Sequence, residues 1–220
     1  MNFSEVERRL GRLPLHLPGP PPELLPVVVR PVDPAVSRLP SWPDQPTRDA
    51  AVLVLIYPDE IGEARIVLTE RPAAARRHPG QISLPGGALD IEDESLTATA
   101  LREAREEVGL DADAAGLRVH GVLSPIEVRV SGFRVHPVVA SAARQPVLRP
   151  DEHEVAAIVH APLAAFVPPA PIEIVTEERD GYLLRYGAYR VGSYLVWGAT
   201  AAILGRFGAF LARGAEPRDG

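Results

Sequence analysis

Apolar runs set the outline of the chain. Residues 50–57 (AAVLVLIY) form a continuous apolar run, the pattern of a strand buried on both faces. After a turn over 58–63, residues 64–69 (ARIVLT) form a second run, and the two read as a hairpin. A short apolar step at 82–84 leads into Leu84-Pro85-Gly86-Gly87, which reads as a strand running into a tight turn. Paired glycines there let the main chain approach a ligand closely. Residues 96–108 hold strong helix formers with no Gly or Pro, with Ser95 placed to cap the helix and Gly109 to end it. Residues 117–123 and 133–140 read as strands, joined by a polar loop over 124–132. Residues 142–150 form a linker, 154–159 fit neither period, and a helical turn starts at Pro162-Leu163. Residues 172–176 and 182–189 pair as another hairpin.

The two ends of the chain differ from this middle. Residues 193–213 read as one long apolar helix. Its length approaches the ~20 residues of a membrane span. Arg206 inside it, with Gly198, Gly205 and Gly208, favours a helix packed on a core. At the start, residues 2–13 suit a short amphipathic helix with Phe3, Val6 and Leu10 on one face. Prolines then crowd 14–46 and forbid helix or central strand over most of it, leaving an extended arm on the surface. The expected division is a helix and proline-rich arm over 1–47, a main domain over 48–213 and a tail over 214–220.

Composition narrows the function classes. The 220 residues are 46% hydrophobic, enough for a sizeable core, and carry a net charge of −6. That balance argues against a nucleic-acid backbone binder, which needs a basic face. With no cysteine, disulfides, thiolate metal sites and thiol catalysis are excluded. All 23 basic residues are arginine. The first residues do not read as a charged-then-apolar signal sequence, so a cytoplasmic enzyme with no membrane partner is the expectation.

The chemistry concentrates between residues 84 and 110. Glu103, Glu106 and Glu107 lie at i, i+3 and i+4, so one helix face carries three carboxylates. Such a face is either a solvated acidic surface or, beside a glycine turn, a site for a hard divalent cation that takes oxygen ligands. The wider spacing favours the second reading. Gly87, Arg102, Glu103, Glu106, Glu107, Gly109 and Leu110 resemble the Nudix box, G-x5-E-x7-R-E-U-x-E-E-x-G-U with U apolar. One residue is out of step. Asp93 stands at the box's distance from Gly87, whereas Glu94 stands at its distance from Arg102, and either could take the first acidic position. The resemblance implies an α/β fold, a Nudix-type α/β/α sandwich with a mixed sheet, preceded here by the proline-rich N-terminal arm.

A second motif lies upstream. Residues 68–87, LTERPAAARRHPGQISLPGG, are similar to the signature of the coenzyme A pyrophosphatase branch of the Nudix family. Thr69, Arg71, Arg76, His78, Gly80, Gln81, Pro85, Gly86 and Gly87 fall in register, and Tyr194, Trp197, Gly198 and Thr200 resemble the branch's C-terminal portion. The resemblance implies hydrolysis of the diphosphate of coenzyme A or a derivative, giving 4′-phosphopantetheine and 3′,5′-adenosine bisphosphate. It implies Mg²⁺ or Mn²⁺ on Glu103, Glu106 and Glu107, with Arg102 orienting these glutamates and Gly86 and Gly87 offering backbone contacts. The general base is Glu106 or Glu107, with Glu154 as rival. Arg71, Arg76, Arg77, His78 and Gln81 are the candidate substrate contacts. Arginine suits bidentate phosphate binding, although these residues could instead brace the acidic loop, the role favoured for Arg71. Competing expectations are a Nudix enzyme for ADP-ribose or a dinucleotide, a non-catalytic nucleotide sensor, and a scaffold role for the arm. The sequence leaves the oligomeric state open, a homodimer included.

Overall fold

The computed structural model describes residues 1–32, 47–74, 80–128, 131–179 and 181–213. In chain order the elements are α1 (Phe3–Leu10), β1 (Val27–Pro31), β2 (Arg48–Pro58), β3 (Ala64–Glu70), β4 (Ile82–Ser83) and β5 (Gly86–Ala88). They continue with α2 (Leu96–Val108), α3 (Ala112–Ala115), β6 (Leu117–Val122), β7 (Ile126–Val128), β8 (Phe133–Ala142) and β9 (Ala157–Pro162). The chain closes with β10 (Glu173–Arg179), β11 (Tyr182–Val191), β12 (Tyr194–Trp197) and α4 (Gly198–Arg213).

The apolar run of β2 is the centre of the larger sheet, whose order is β4-β3-β2-β8-β6, with β5 on β2, β7 on β8 and β9 on β3. β2 runs parallel to β8 and antiparallel to β3 and β5, so the sheet is mixed. Both faces of β2 are covered, as its unbroken hydrophobicity requires. On one face Ala51, Leu53, Leu55 and Tyr57 pack with Ala100, Ala104 and Val108 of α2. On the other, Val54 and Ile56 share a core with Val6 and Leu10 of α1 and Ile203, Leu204, Phe207 and Leu211 of α4. This is the α/β/α sandwich that the box implied.

A smaller sheet stands beside it, with β11 pairing β1, β10 and β12. Its β12 departs from the expected 193–213 helix. Tyr194-Leu195-Val196-Trp197 is rich in β-branched and aromatic residues, pairs antiparallel with β11, and Gly198 at φ 65° turns the chain into α4. Arg206 is tied down within α4, its guanidinium donating to the carbonyls of Pro18 (3.0 Å) and Leu17 (3.4 Å) of the arm. Among the described residues no helix is long and apolar enough to cross a membrane.

Other differences are local. The loop expected over 124–132 contains β7, held on β8 by the pair Ile126–Val135. The ambiguous stretch near 154–159 yields β9, because its edge position against β3 supplies the partner that its composition alone does not announce. The described part of the arm is extended where β1 pairs with β11, but Pro22–Leu24 form a 3-10 turn, and Leu17 and Leu24 are buried rather than on the surface.

Candidate active site

The site is assembled where β5 crosses β2 under α2. Gly86 pairs with Val52 and Gly87 with Ala51, an approach that only glycine allows. Gly86 has φ 152°, and a Cβ there would lie 2.3 Å from the Ala51 carbonyl oxygen. A Cβ on Gly87 would lie 2.5 Å from the Glu103 carboxylate. The two glycines therefore form a shallow cradle against which Glu103 rests.

α2 begins and ends as its sequence dictates. Ser95 Oγ accepts from the Ala98 N–H at 3.1 Å, and Gly109 closes the helix at φ 64°. This fixes the rotation that aims Glu107 inward and Glu106 outward. Glu107 is 8% exposed, and its Oε2 accepts from the Gly86 N–H at 3.0 Å. Burial pushes the Glu107 carboxyl up to about 7, with Glu103 and Glu154 adding to the rise and Gly86 and Arg71 opposing it. Glu103 is also raised, first by burial and further by Glu106 and Glu154, against the pull of Arg102. Four carboxylates therefore sense one another here.

Arg102 organises the other side. Its Nη1 donates to Glu103 Oε1 and to Glu106 Oε2, both at 2.9 Å. Its Nε and Nη2 grip Asp93 at 3.0 and 2.9 Å, and Nη2 also reaches the Ala88 carbonyl at 3.2 Å. The acid that pairs with this arginine is Asp93. The extra residue before Arg102 is absorbed by the loop, whose Asp93 Oδ2 accepts from the Asp90 N–H at 3.0 Å. Arg102 holds the Asp93 carboxyl well below the usual carboxylate range.

Glu154 arrives from the loop before β9. That loop is pinned to the end of α2 by the Arg149 N–H on the Val108 carbonyl and the Asp151 N–H on the Glu107 carbonyl, each at 2.9 Å. The Ala156 N–H on the Glu70 carbonyl fixes its far end. Arg71 follows Glu70 and lies close enough to Glu107 to lower its pKa. Gln81 is joined to it through the Arg71 N–H on the Gln81 carbonyl at 3.0 Å. The structure thus gathers Arg71, Gly86, Gly87, Arg102, Glu103, Glu106, Glu107 and Glu154 at one end of the sheet. Arg76, Arg77 and His78 lie outside the described residues.

Among the described residues no three His, Asp or Glu side chains converge as a ready-made metal cage. The donor set nevertheless fits a hard dication. Buried Glu107 and half-buried Glu103 carry raised pKa values in the company of Glu106 and Glu154. An oxygen-seeking cation relieves that repulsion.

Comparison with known proteins gives the family. Residues 47–180 match the NUDIX domain model, and this chain belongs to the Nudix family. The Uncharacterized Nudix hydrolase NudL of Pectobacterium atrosepticum is 42% identical over 164 residues, covering 71% of this chain and 79% of its own. The protein of the same name from Cronobacter sakazakii is 40% identical over 157 residues, with the same coverage. Among solved structures, a Nudix hydrolase from M. smegmatis, RenU, is 29% identical with a TM-score of 0.47, over 55% of this chain and 73% of its own. The family assignment rests on the sequence matches. The chain is a Nudix diphosphatase, a hydrolase of phosphoanhydride bonds in small nucleotide substrates that depends on a divalent cation.

Proposed function

We propose that the substrate is coenzyme A or an acylated derivative, cleaved at its diphosphate to 4′-phosphopantetheine (or its acyl form) and 3′,5′-adenosine bisphosphate. What carries this reading is the segment from β3 to β5. It places Arg71 against Glu107 and Gln81 beside Arg71, and in sequence it carries Arg76, Arg77 and His78 between them. Several cations in one short segment suit a substrate with a diphosphate and a 3′-phosphate.

Glu103, Glu106 and Glu107 would hold Mg²⁺ or Mn²⁺. When bound, the cation offsets the diphosphate charge and lowers the pKa of a bound water. Arg102 does not reach substrate in this reading. It fixes Glu103 and Glu106 with one nitrogen and anchors them to Asp93 with two others. Gly86 holds Glu107, and Gly87 leaves room for Glu103. The proton of the attacking water goes to a carboxylate. Glu106 is engaged by Arg102 and Glu107 by Gly86, while exposed Glu154 meets the same carboxylates from another loop. That favours Glu154 as the acceptor. Arg71 braces Glu107, and Arg76, Arg77 and His78 contact the phosphates.

The test is a panel of coenzyme A, acetyl-coenzyme A, ADP-ribose, NADH and diadenosine polyphosphates, each with Mg²⁺ and with Mn²⁺, and products weighed by mass spectrometry. Coenzyme A giving 4′-phosphopantetheine fastest supports the assignment. A faster ADP-ribose or dinucleotide reaction keeps the enzyme class and removes the substrate.

A further inference from the structure

A cavity of about 400 Å³, lined by none of the site's carboxylates, opens at the seam between the two sheets. Its wall comes from Glu70 at the end of β3, Gln81 before β4, Glu177 of β10, Tyr186 of β11, and Tyr194 and Trp197 of β12. The phenol of Tyr186 and the indole of Trp197 stack with centroids 4.8 Å apart, and Tyr186 is almost fully buried. The lining holds no cation among the described residues and includes two glutamates. The two glutamates disfavour phosphate and favour a neutral group that donates hydrogen bonds. Gln81 adds the opposite demand. Its side-chain Nε2 is buried with no hydrogen-bond partner among the described residues. A buried donor left unmade costs free energy, so this amide awaits an acceptor.

A flat ligand that offers a ring acceptor beside an exocyclic amine satisfies both demands and gains from aromatic walls. We propose that this cavity is the nucleobase subsite, and that it reads a 6-aminopurine. The Gln81 amide donates to a ring nitrogen, a glutamate accepts from the amine, and Trp197 and Tyr194 flank the ring. The inference rests on the reading that the substrate is an adenine-containing diphosphate. Its position suits that role. The backbone bond between Arg71 and Gln81 ties the cavity wall to the cation that acts on Glu107.

The chain has two tryptophans, Trp42 and Trp197. In the full-length Trp42→Phe protein, fluorescence therefore reports on Trp197 alone. Adenosine, inosine and pantetheine are titrated into it without metal, so that a failure of hydrolysis leaves the result readable. Adenosine is expected to quench saturably. Inosine, which replaces the amine by a carbonyl, is expected to bind at least about tenfold more weakly, and pantetheine to leave the signal unchanged. Calorimetry on Gln81→Leu is expected to show adenosine affinity reduced to that of inosine. Equal response to adenosine and inosine, saturation by pantetheine, or no saturable change with adenosine at millimolar concentration each overturns the proposal. The comparison of bases needs no cavity variant and so survives a misfolded Gln81→Leu.

Discussion

Glu107 concentrates the physics of the site in one side chain. Its burial raises its pKa to about 7, above the 4.5 of a free glutamate. The folded, metal-free protein then binds a proton more tightly than the unfolded chain between those values. Stability from this group is therefore fully present below about pH 4.5 and is lost as pH rises through about 7. Glu107→Gln is expected to stabilise the metal-free protein at pH 8, by an amount on the order of 1–3 kcal/mol, seen as a higher Tm. The same substitution is expected to abolish the Tm increase that Mg²⁺ or Mn²⁺ gives the wild type. For the wild type that increase is predicted to grow from pH 6 to pH 8.5, because binding displaces a proton. Asp93 has the opposite sign, its lowered pKa making its contribution one that is present above the free value and lost as pH falls. Asp93→Asn frees Arg102 from its anchor, and kcat/KM is expected to drop about 10- to 100-fold as the glutamates lose their orientation. Steady-state kinetics over a metal titration checks this.

At the scale of elements, β5 and α2 act as one unit. The Gly86–Val52 and Gly87–Ala51 pairs bring backbone under the helix, and a methyl at Gly86 collides with a carbonyl that cannot step aside. Gly86→Ala is expected to cost activity and stability together. α4 depends on a similar contact, since a Cβ on Gly208 would stand 1.9 Å from the Phe166 carbonyl oxygen. Gly208→Ala is expected to destabilise by about 1–3 kcal/mol, measurable by urea unfolding, while leaving the KM of the remaining folded enzyme unchanged. α2 was readable to the residue, because its caps, formers and terminal glycine all agree. β12 was not, because Ser193 to Trp197 is apolar enough to continue a helix and only its pairing with β11 decides otherwise. β9 was hidden because its partner β3 lies far back along the chain, and β7 because three residues in a polar stretch carry too little pattern until they pair with β8. The identity of Arg102's partner was also beyond sequence spacing. Asp93 and Glu94 differ by one residue in a loop, and only the folded loop chooses between them.

The whole molecule joins its proline-rich start to its catalytic frame. Val6 and Leu10 of α1 enter the same core as α4, Arg206 holds the carbonyls of Leu17 and Pro18, and β1 extends the smaller sheet. α1 is also fastened by a polar contact, Ser141 donating to Glu7 and lying 2.8 Å from His120 Nε2. Proline excludes regular structure and so predicts a surface arm, while nothing in the proline spacing reveals that apolar residues between them, Leu17 and Leu24, reach the core. We propose that residues 1–47 serve stability rather than chemistry. Deleting them is predicted to lower Tm and solubility, and Leu10→Ala to cost about 2–5 kcal/mol with kcat per folded molecule preserved. An arm deletion that leaves Tm unchanged would show that it is an independent appendage.

The central claim is that the carboxylates of α2 run a metal-dependent cleavage of coenzyme A. The most direct measurement is kcat for coenzyme A hydrolysis at saturating Mg²⁺ in wild type, Glu103→Gln and Glu107→Gln, with folding verified by thermal melts. The prediction is a fall of at least about 100-fold in each variant. Wild-type turnover in both variants would contradict the claim and move the reaction away from this helix.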